Sequence, residues 1–151
     1  MATTSDRPTG SKEEAFLGTG WTFPPTFSRL SSSVDMVSGE ADVKEALWVL
    51  FSTAPGERIM LPTFGCDLWR LVFGTLTTAF KTEVEDAVRQ AILYWEPRVD
   101  VESIEVTEDS TQPGLLNILV SYIIRRTNAR ANLVYPFYLQ EGTLVPAPPE
   151  R

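Results

Sequence analysis

Two glutamates, each with an arginine close by, are the first candidates for chemistry in this chain. Glu57 is followed directly by Arg58, and Glu96 is separated from Arg98 by one proline. A pair of carboxyl groups, one of them protonated, can hydrolyse a glycosidic bond without any other catalytic group. A neighbouring arginine favours the ionised carboxylate instead. A peptidoglycan hydrolase that uses Glu57 and Glu96 is therefore kept only as an alternative.

The composition excludes most other catalytic chemistry. Histidine is absent, so the usual general base, the Ser-His and Cys-His pairs and the commonest zinc ligand are missing. The single cysteine, Cys66, cannot form an internal disulfide, and we expect a buried small apolar residue in a reducing compartment. The Gly-Thr-Gly at 18–20 lacks the preceding strand and following helix of a dinucleotide fingerprint. We therefore expect no catalytic residue, no metal and no cofactor.

The charge and the apolar pattern narrow the range of partners. Twenty acidic residues against thirteen basic ones give a net charge of −7 without a basic run, which disfavours nucleic acid. The apolar run Ala46–Phe51 is far shorter than the roughly 20 residues of a spanning helix. Polar residues follow Met1, so no signal peptide is expected. The sequence predicts a cytosolic protein with no small-molecule substrate and no direct membrane insertion.

The periodicity of apolar residues predicts an α+β fold, with two main helices packed on a small antiparallel β-meander of about three strands. The first helix should begin after Gly39, with Asp42 and Glu45 as a capping box, and end near Thr53. A structured loop should follow, with a short helix around residues 67–72.

The second helix leads into the sequence Glu-Pro-Arg. It should start at Thr78 or Thr82 and stop near Glu96, because a residue before a proline avoids helical conformation. A glutamate at a helix C-terminus is unfavourable by about 0.3–1 kcal/mol. Two interpretations stay open: Glu96 and Arg98 are two solvated charges, or Pro97 fixes them as a rigid polar pair offered to a partner.

Three strands with a period of two follow. The first, from Val99 to Val106, has a slip at Glu102-Ser103 that predicts a bulge. A turn at 112–114 leads to the second, from Leu116 to Ile124. The third, at 132–140, contains a proline and should lie at an edge. Pro136 in the third strand and the acidic residues of the first are both ways to protect an edge from indiscriminate pairing; those acids are Glu102, Glu105 and Glu108.

The two ends of the chain differ in composition from its centre. We expect a disordered tail at 1–15, a single domain at 16–143 and a Pro-rich tail at 144–151. The aromatic segment 16–27 contains glycines and Pro24-Pro25, which argue against a regular element. It should pack as irregular or extended chain, against its own core in preference to a neighbouring protein.

Four stretches resemble the baseplate wedge or sheath-initiator proteins of contractile tails, a family often labelled lysozyme-like. These proteins occur in phage tails, type VI secretion and extracellular contractile injection particles. The matching stretches are residues 16–25, 50–68, 94–99 and 127–143, in the order of the family. The first and last look most like the injection-particle branch, with phage tails a close second. Residues 1–15 have no counterpart in the shorter members.

The resemblance implies a structural role and not an enzyme. It implies that Glu96, Pro97 and Arg98 dock onto a helical core bundle formed by the larger wedge subunits. It also implies that the sheet edge initiates the first sheath ring by strand exchange, with hub and spike proteins as further candidate partners. The expected location is the bacterial cytoplasm during assembly, then the baseplate of the particle. The residues expected to exchange with sheath are Leu133, Val134, Tyr135, Pro136 and Phe137.

Overall fold

A computed structural model describes residues 17–30 and 32–139. The ends of the predicted domain and both predicted tails lie outside these residues. Over the described residues the elements, in chain order, are β1 (Thr19–Trp21), β2 (Phe27–Ser28), β3 (Ser33–Val34), β4 (Met36–Ser38), α1 (Glu40–Ser52), a 3₁₀ helix (Trp69–Leu71), α2 (Thr78–Trp95), β5 (Val99–Glu108), β6 (Leu115–Ile124) and β7 (Ala129–Tyr138).

The main sheet is an antiparallel meander in the order β5-β6-β7. The predicted bulge is confirmed, because the register between β5 and β6 shifts between Val101 and Ser103. The predicted turn is confirmed as well, with the Leu115 N–H donating to the Gln112 carbonyl over 3.1 Å. The α+β class with two main helices is therefore confirmed, and the third strand lies at an edge as Pro136 predicts.

The meander of about three strands is confirmed, but the total strand number is larger than predicted, because the segment before α1 adds four short strands. β1 pairs with β4 and β2 pairs with β3, both antiparallel. Glycine weakens a strand without forbidding it, and Gly20 lies opposite Val37 in the first ladder. Pro24-Pro25 falls between β1 and β2, where no ladder needs its missing donors.

The aromatic segment packs only in part against its own core. Leu17 is 3% exposed and Phe23 packs against the core, as expected. Trp21 and Phe27 remain 63% and 68% exposed. Phe16, which the prediction also included, lies outside the described residues.

Helix α1 follows its predicted bounds, but its predicted capping box is wrong. Gly39 is the N-cap, and no side chain caps the helix. Asp42 and Glu45 are bound to other parts of the chain. The predicted short helix appears as the 3₁₀ helix.

Helix α2 starts at the earlier of its two predicted positions. The Thr77 hydroxyl oxygen accepts a hydrogen bond from the Phe80 N–H over 3.1 Å, which satisfies one of the unpaired donors of the first turn. The helix ends at Trp95, directly before Glu96. Within residues 17–30 and 32–139, no helix is both long and apolar enough to cross a membrane.

The core lies between the two helices and the main sheet. Tyr135 of β7 shows how α1 is held: its ring makes edge-to-face contacts with Trp48 and Phe51, at centroid distances of 5.0 and 5.6 Å. Its hydroxyl lies 3.3 Å from the Ser52 hydroxyl. Such aromatic pairs add to the stabilisation gained from burial alone. The loop after α1 is closed on the helix end, where the Cys66 N–H donates to the Thr53 carbonyl over 2.9 Å.

This closure predicts a specific glycine requirement. Gly65 has φ +131°, and a Cβ there would clash with the Thr53 carbonyl oxygen, so we expect Gly65→Ala to lower the free energy of unfolding by about 2–4 kcal/mol. Gly56 has φ +96° and open space around it, so Gly56→Ala should cost about 1–2 kcal/mol. Urea denaturation measures both, and equal losses would contradict the close approach.

Candidate functional site

The Glu-Pro-Arg corner, formed by Glu96, Pro97 and Arg98, lies where α2 turns into β5. Arg98 Nε donates to Glu96 Oε1 and Arg98 Nη2 donates to Glu96 Oε2, each over 2.6 Å. Glu96 is only 5% exposed, the Arg98 side chain is 28% exposed, and Pro97 is exposed. The two charges therefore form a bidentate ion pair. The interpretation as two solvated charges is wrong.

The same guanidinium joins the corner to two other parts of the chain. Arg98 Nη1 donates to Asp42 Oδ2 over 2.6 Å and to the Leu17 carbonyl over 2.7 Å. One side chain thus connects the end of α2, the first turn of α1 and the segment before β1. The hydrogen bonds that Arg98 donates to Glu96 raise the pKa of Arg98 above its ordinary value, with a smaller contribution from the bond to Asp42. We call Glu96, Arg98 and Asp42 the ionic clamp.

The clamp explains a glutamate at the end of a helix. The Glu96 N–H closes the last turn by donating to the Ile92 carbonyl over 2.9 Å. The negative end of the helix dipole disfavours the carboxylate, but it favours the Arg98 cation that the carboxylate holds there. Pro97, between the two residues, has a fixed φ, which restricts the conformations of this connection. The unfavourable residue is therefore part of a favourable pair.

A third acid binds the N-terminal segment. Glu45 is 5% exposed, and its Oε2 accepts a hydrogen bond from the Phe23 N–H over 2.9 Å. Asp42 and Glu45 lie one helical turn apart on α1, so both can face this segment. Sequence reasoning assigned both to a capping box and missed these roles. The available signal was that the two acids stand beside Val43 and Ala46, apolar residues of the same helix, where a solvated acid is less expected.

A cleft of about 410 Å³ lies beside the corner. Phe64 and Trp95, which both line it, meet edge to face, with ring centroids 5.4 Å apart. The Arg58 guanidinium stacks on the Phe64 ring, with 3.9 Å between Arg58 Cζ and the ring centroid. The lining of the cleft therefore combines aromatic and acidic side chains; it includes Trp21, Phe23, Phe64, Trp95, Asp42, Glu45 and Glu96.

The structure does not favour the two glutamates as a catalytic pair. Glu57 is exposed, its Oε2 accepts a hydrogen bond from the Ala54 N–H over 3.0 Å, and it does not line the cleft. Glu96 is bound by Arg98 on both oxygens, the opposite of the apolar surroundings that keep a general acid protonated.

The other candidate reactive groups are structural. Cys66 is 1% exposed as predicted, and burial raises the pKa of its thiol to about 12, so no reactive thiolate is expected. Among the described residues, no cluster of His, Cys, Asp or Glu is arranged to hold a metal ion.

The predicted strand-exchange residues lie in the middle of β7. Leu133, Tyr135 and Phe137 point into the core, with 2–7% exposure, whereas Val134 is 51% exposed. β6 occupies one side of β7, and in the described part of the chain no strand pairs with its other side. β7 is therefore an edge strand of the main sheet over the described residues.

The family is decided by a direct match. Residues 37–129, more than half of the chain, match the family model described as "Baseplate wedge protein gp25". The chain belongs to this gp25 family. Family membership confirms the resemblance to baseplate wedge proteins seen in the sequence.

The chain is also similar to individual members and baseplate structures. It is 34% identical to baseplate wedge protein gp25 of Enterobacteria phage T4 over 76 residues, 48% of this chain and 58% of the phage protein, so the match spans less than two thirds of that relative. It is 39% identical to a Geobacter sulfurreducens protein crystallised as a candidate tail lysozyme, with a TM-score of 0.64 over 69% of this chain and 94% of the other.

A third similarity covers more of the chain. A protein in the baseplate of the anti-feeding prophage has a TM-score of 0.65 to this chain, over 88% of this chain and 94% of the other. The two are 24% identical, so this comparison supports the fold alone.

The ionic clamp predicts a large effect of one substitution on stability. Arg98→Ala leaves the carboxylates of Glu96 and Asp42 without their cation, and we expect a loss of about 2–4 kcal/mol in the free energy of unfolding. Arg125→Ala, which removes an exposed pair with Asp100, should cost less than about 1 kcal/mol. Urea denaturation compares the two, and equally small losses would show that the clamp does not hold the fold.

Proposed function

We propose that this baseplate component has two partners. The Glu-Pro-Arg corner docks onto a helical bundle formed by larger wedge subunits, and the outer edge of β7 initiates sheath assembly by accepting a strand. The observation that carries the docking proposal is the rigid presentation of Pro97 and Arg98 at the surface, fixed by the ionic clamp. A fixed surface binds with less loss of conformational entropy than a mobile one.

The hydrogen bonds of Arg98 leave room for a partner. A guanidinium has five N–H donors, and in the described structure four of them serve Glu96 twice, Asp42 once and the Leu17 carbonyl once. The remaining donor is on Nη2. Because the Arg98 side chain is 28% exposed, this donor can reach a carbonyl or carboxylate oxygen of a docked helix.

The two edges of the main sheet differ in charge, which supports β7 as the exchanging edge. β5 carries four exposed acids and no base; they are Asp100, Glu102, Glu105 and Glu108. Charged side chains protect an edge from indiscriminate pairing. β7 carries one charged residue, Arg130, which pairs with Glu102 over 3.2 Å. The uncharged remainder of β7 can accept a strand without placing like charges together.

The docking proposal is tested by co-expression with the larger wedge subunits. We expect Arg98→Ala to lose the complex on co-purification, since it removes both the clamp and the remaining donor. The matched control is Leu47→Ala, a fully buried α1 position where truncation costs about 2–5 kcal/mol without changing the surface. Circular dichroism at the assay temperature reports the folded fraction of each variant. Retention of the complex by folded Arg98→Ala would contradict docking at the corner.

The strand-exchange proposal is tested by charging each edge in turn. Val134→Lys places a cation at the middle of β7, and we expect baseplates carrying it to nucleate far fewer sheaths in electron micrographs. Thr107→Lys places the same charge at an exposed position of β5 and should leave sheath nucleation intact. If both variants nucleate sheaths equally and their thermal midpoints are unchanged, β7 is not the strand-accepting edge.

A further inference from the structure

The loop between α1 and the 3₁₀ helix exposes three consecutive large apolar side chains. Ile59 is 94% exposed, Met60 is 93% exposed and Leu61 is 42% exposed. We call these three residues the apolar knob. A single exposed apolar residue is ordinary, but a contiguous group at the tip of one loop is typical of an interaction surface.

Hydrogen bonds hold this loop in one conformation. The Gly56 N–H donates to the Pro62 carbonyl over 2.6 Å, which closes the loop across the base of the knob. The Leu61 N–H donates to the Arg58 carbonyl over 3.2 Å, and the Phe64 N–H donates to the Leu61 carbonyl over 3.0 Å. The knob is therefore presented on a braced turn, and little ordering is needed when it binds.

The charges next to the knob are engaged within the loop. Glu57 accepts a hydrogen bond from the Ala54 N–H, and Arg58 stacks on the Phe64 ring. A partner that covers the knob therefore needs no opposite charge at its centre. Because the knob is convex, its partner must offer a concave, uncharged apolar surface, such as the groove between two packed helices.

The position of the knob connects it to the proposed docking corner. Arg58, the residue before Ile59, lines the same cleft as Glu96. A lipid surface fits less well, since Arg58 is the only base between Pro55 and Gly65 and the chain carries a net charge of −7. One protein partner can therefore contact the corner and the knob together.

We propose that the apolar knob is a second docking surface, which inserts into an uncharged apolar groove of the same larger wedge subunits that bind the Glu-Pro-Arg corner. This inference rests on the proposed function and extends it by a separate set of residues. The corner supplies a directed polar contact, and the knob supplies apolar area.

The test compares two sets of exposed apolar residues. The double variant Ile59→Ser/Met60→Ser is titrated against purified larger wedge subunits, with Phe73→Ser, an 84% exposed position outside the loop, as the matched control. We expect the double variant to bind about tenfold more weakly or worse, because central apolar anchors dominate binding, and the control to bind like wild type. Thermal midpoints should stay unchanged in all variants, since the altered side chains are exposed.

Three results would overturn the inference. The first is that the double variant binds the wedge subunits with wild-type affinity, and the second is that Phe73→Ser weakens binding equally. The third is that the double variant keeps wedge binding but loses a different interaction of the wild-type protein, either flotation with phosphatidylethanolamine–phosphatidylglycerol vesicles or self-association. Arg98→Ala in the same titration separates this failure from failure of the proposed function. If only Arg98→Ala weakens binding, the corner is a docking surface and the knob is not. If only the double variant weakens binding, the knob is a docking surface and the corner is not.

Discussion

The contacts of the Arg98 guanidinium are the constraint on which the arrangement of this protein depends. They join the end of α2, the first turn of α1 and the segment before β1, and β5 starts from the same corner. Taking charges out of water is costly, so such a clamp contributes less to net stability than its short distances suggest. Its larger effect is to make other arrangements of these elements unfavourable, because they would leave Glu96 or Asp42 without a cation.

This constraint also relates the fold to its proposed partners. Arg98 joins three parts of the fold and still retains some exposure, and Pro97 beside it lies at the surface. The apolar knob is similar in this respect, because backbone hydrogen bonds fix its loop while Ile59 and Met60 stay exposed. The two edge strands of the main sheet also differ: β5 carries four exposed acids, whereas β7 carries a single charged residue. A small protein can thus present separate fixed surfaces to larger neighbours in an assembly.

How well the sequence predicted a feature of this structure depends on how far apart in the chain the contacting residues lie. Local patterns gave the two helices, the bulge after Val101, the turn before Leu115 and the edge position of β7, because each is encoded within a few residues. The two short ladders, β1 with β4 and β2 with β3, were missed, since strands of two or three residues have no measurable period. Asp42 and Glu45 were assigned to a local cap, but their partners lie 56 and 22 residues away. A capping box and a long-range clamp use the same residue types at the same spacing, so sequence spacing alone could not separate them.

Docking at the Glu-Pro-Arg corner is tested by a cryo-EM structure of the assembled baseplate, at a resolution that defines side chains. We expect Pro97 and Arg98 to be covered by a helical bundle of larger wedge subunits. We also expect that Glu96 and Asp42 still hold Arg98 as they do in the isolated chain, and that the remaining Nη2 donor contacts a partner oxygen. A baseplate in which Pro97 and Arg98 face solvent would show that the corner is not a docking surface, and it would leave the clamp as a feature of the fold alone.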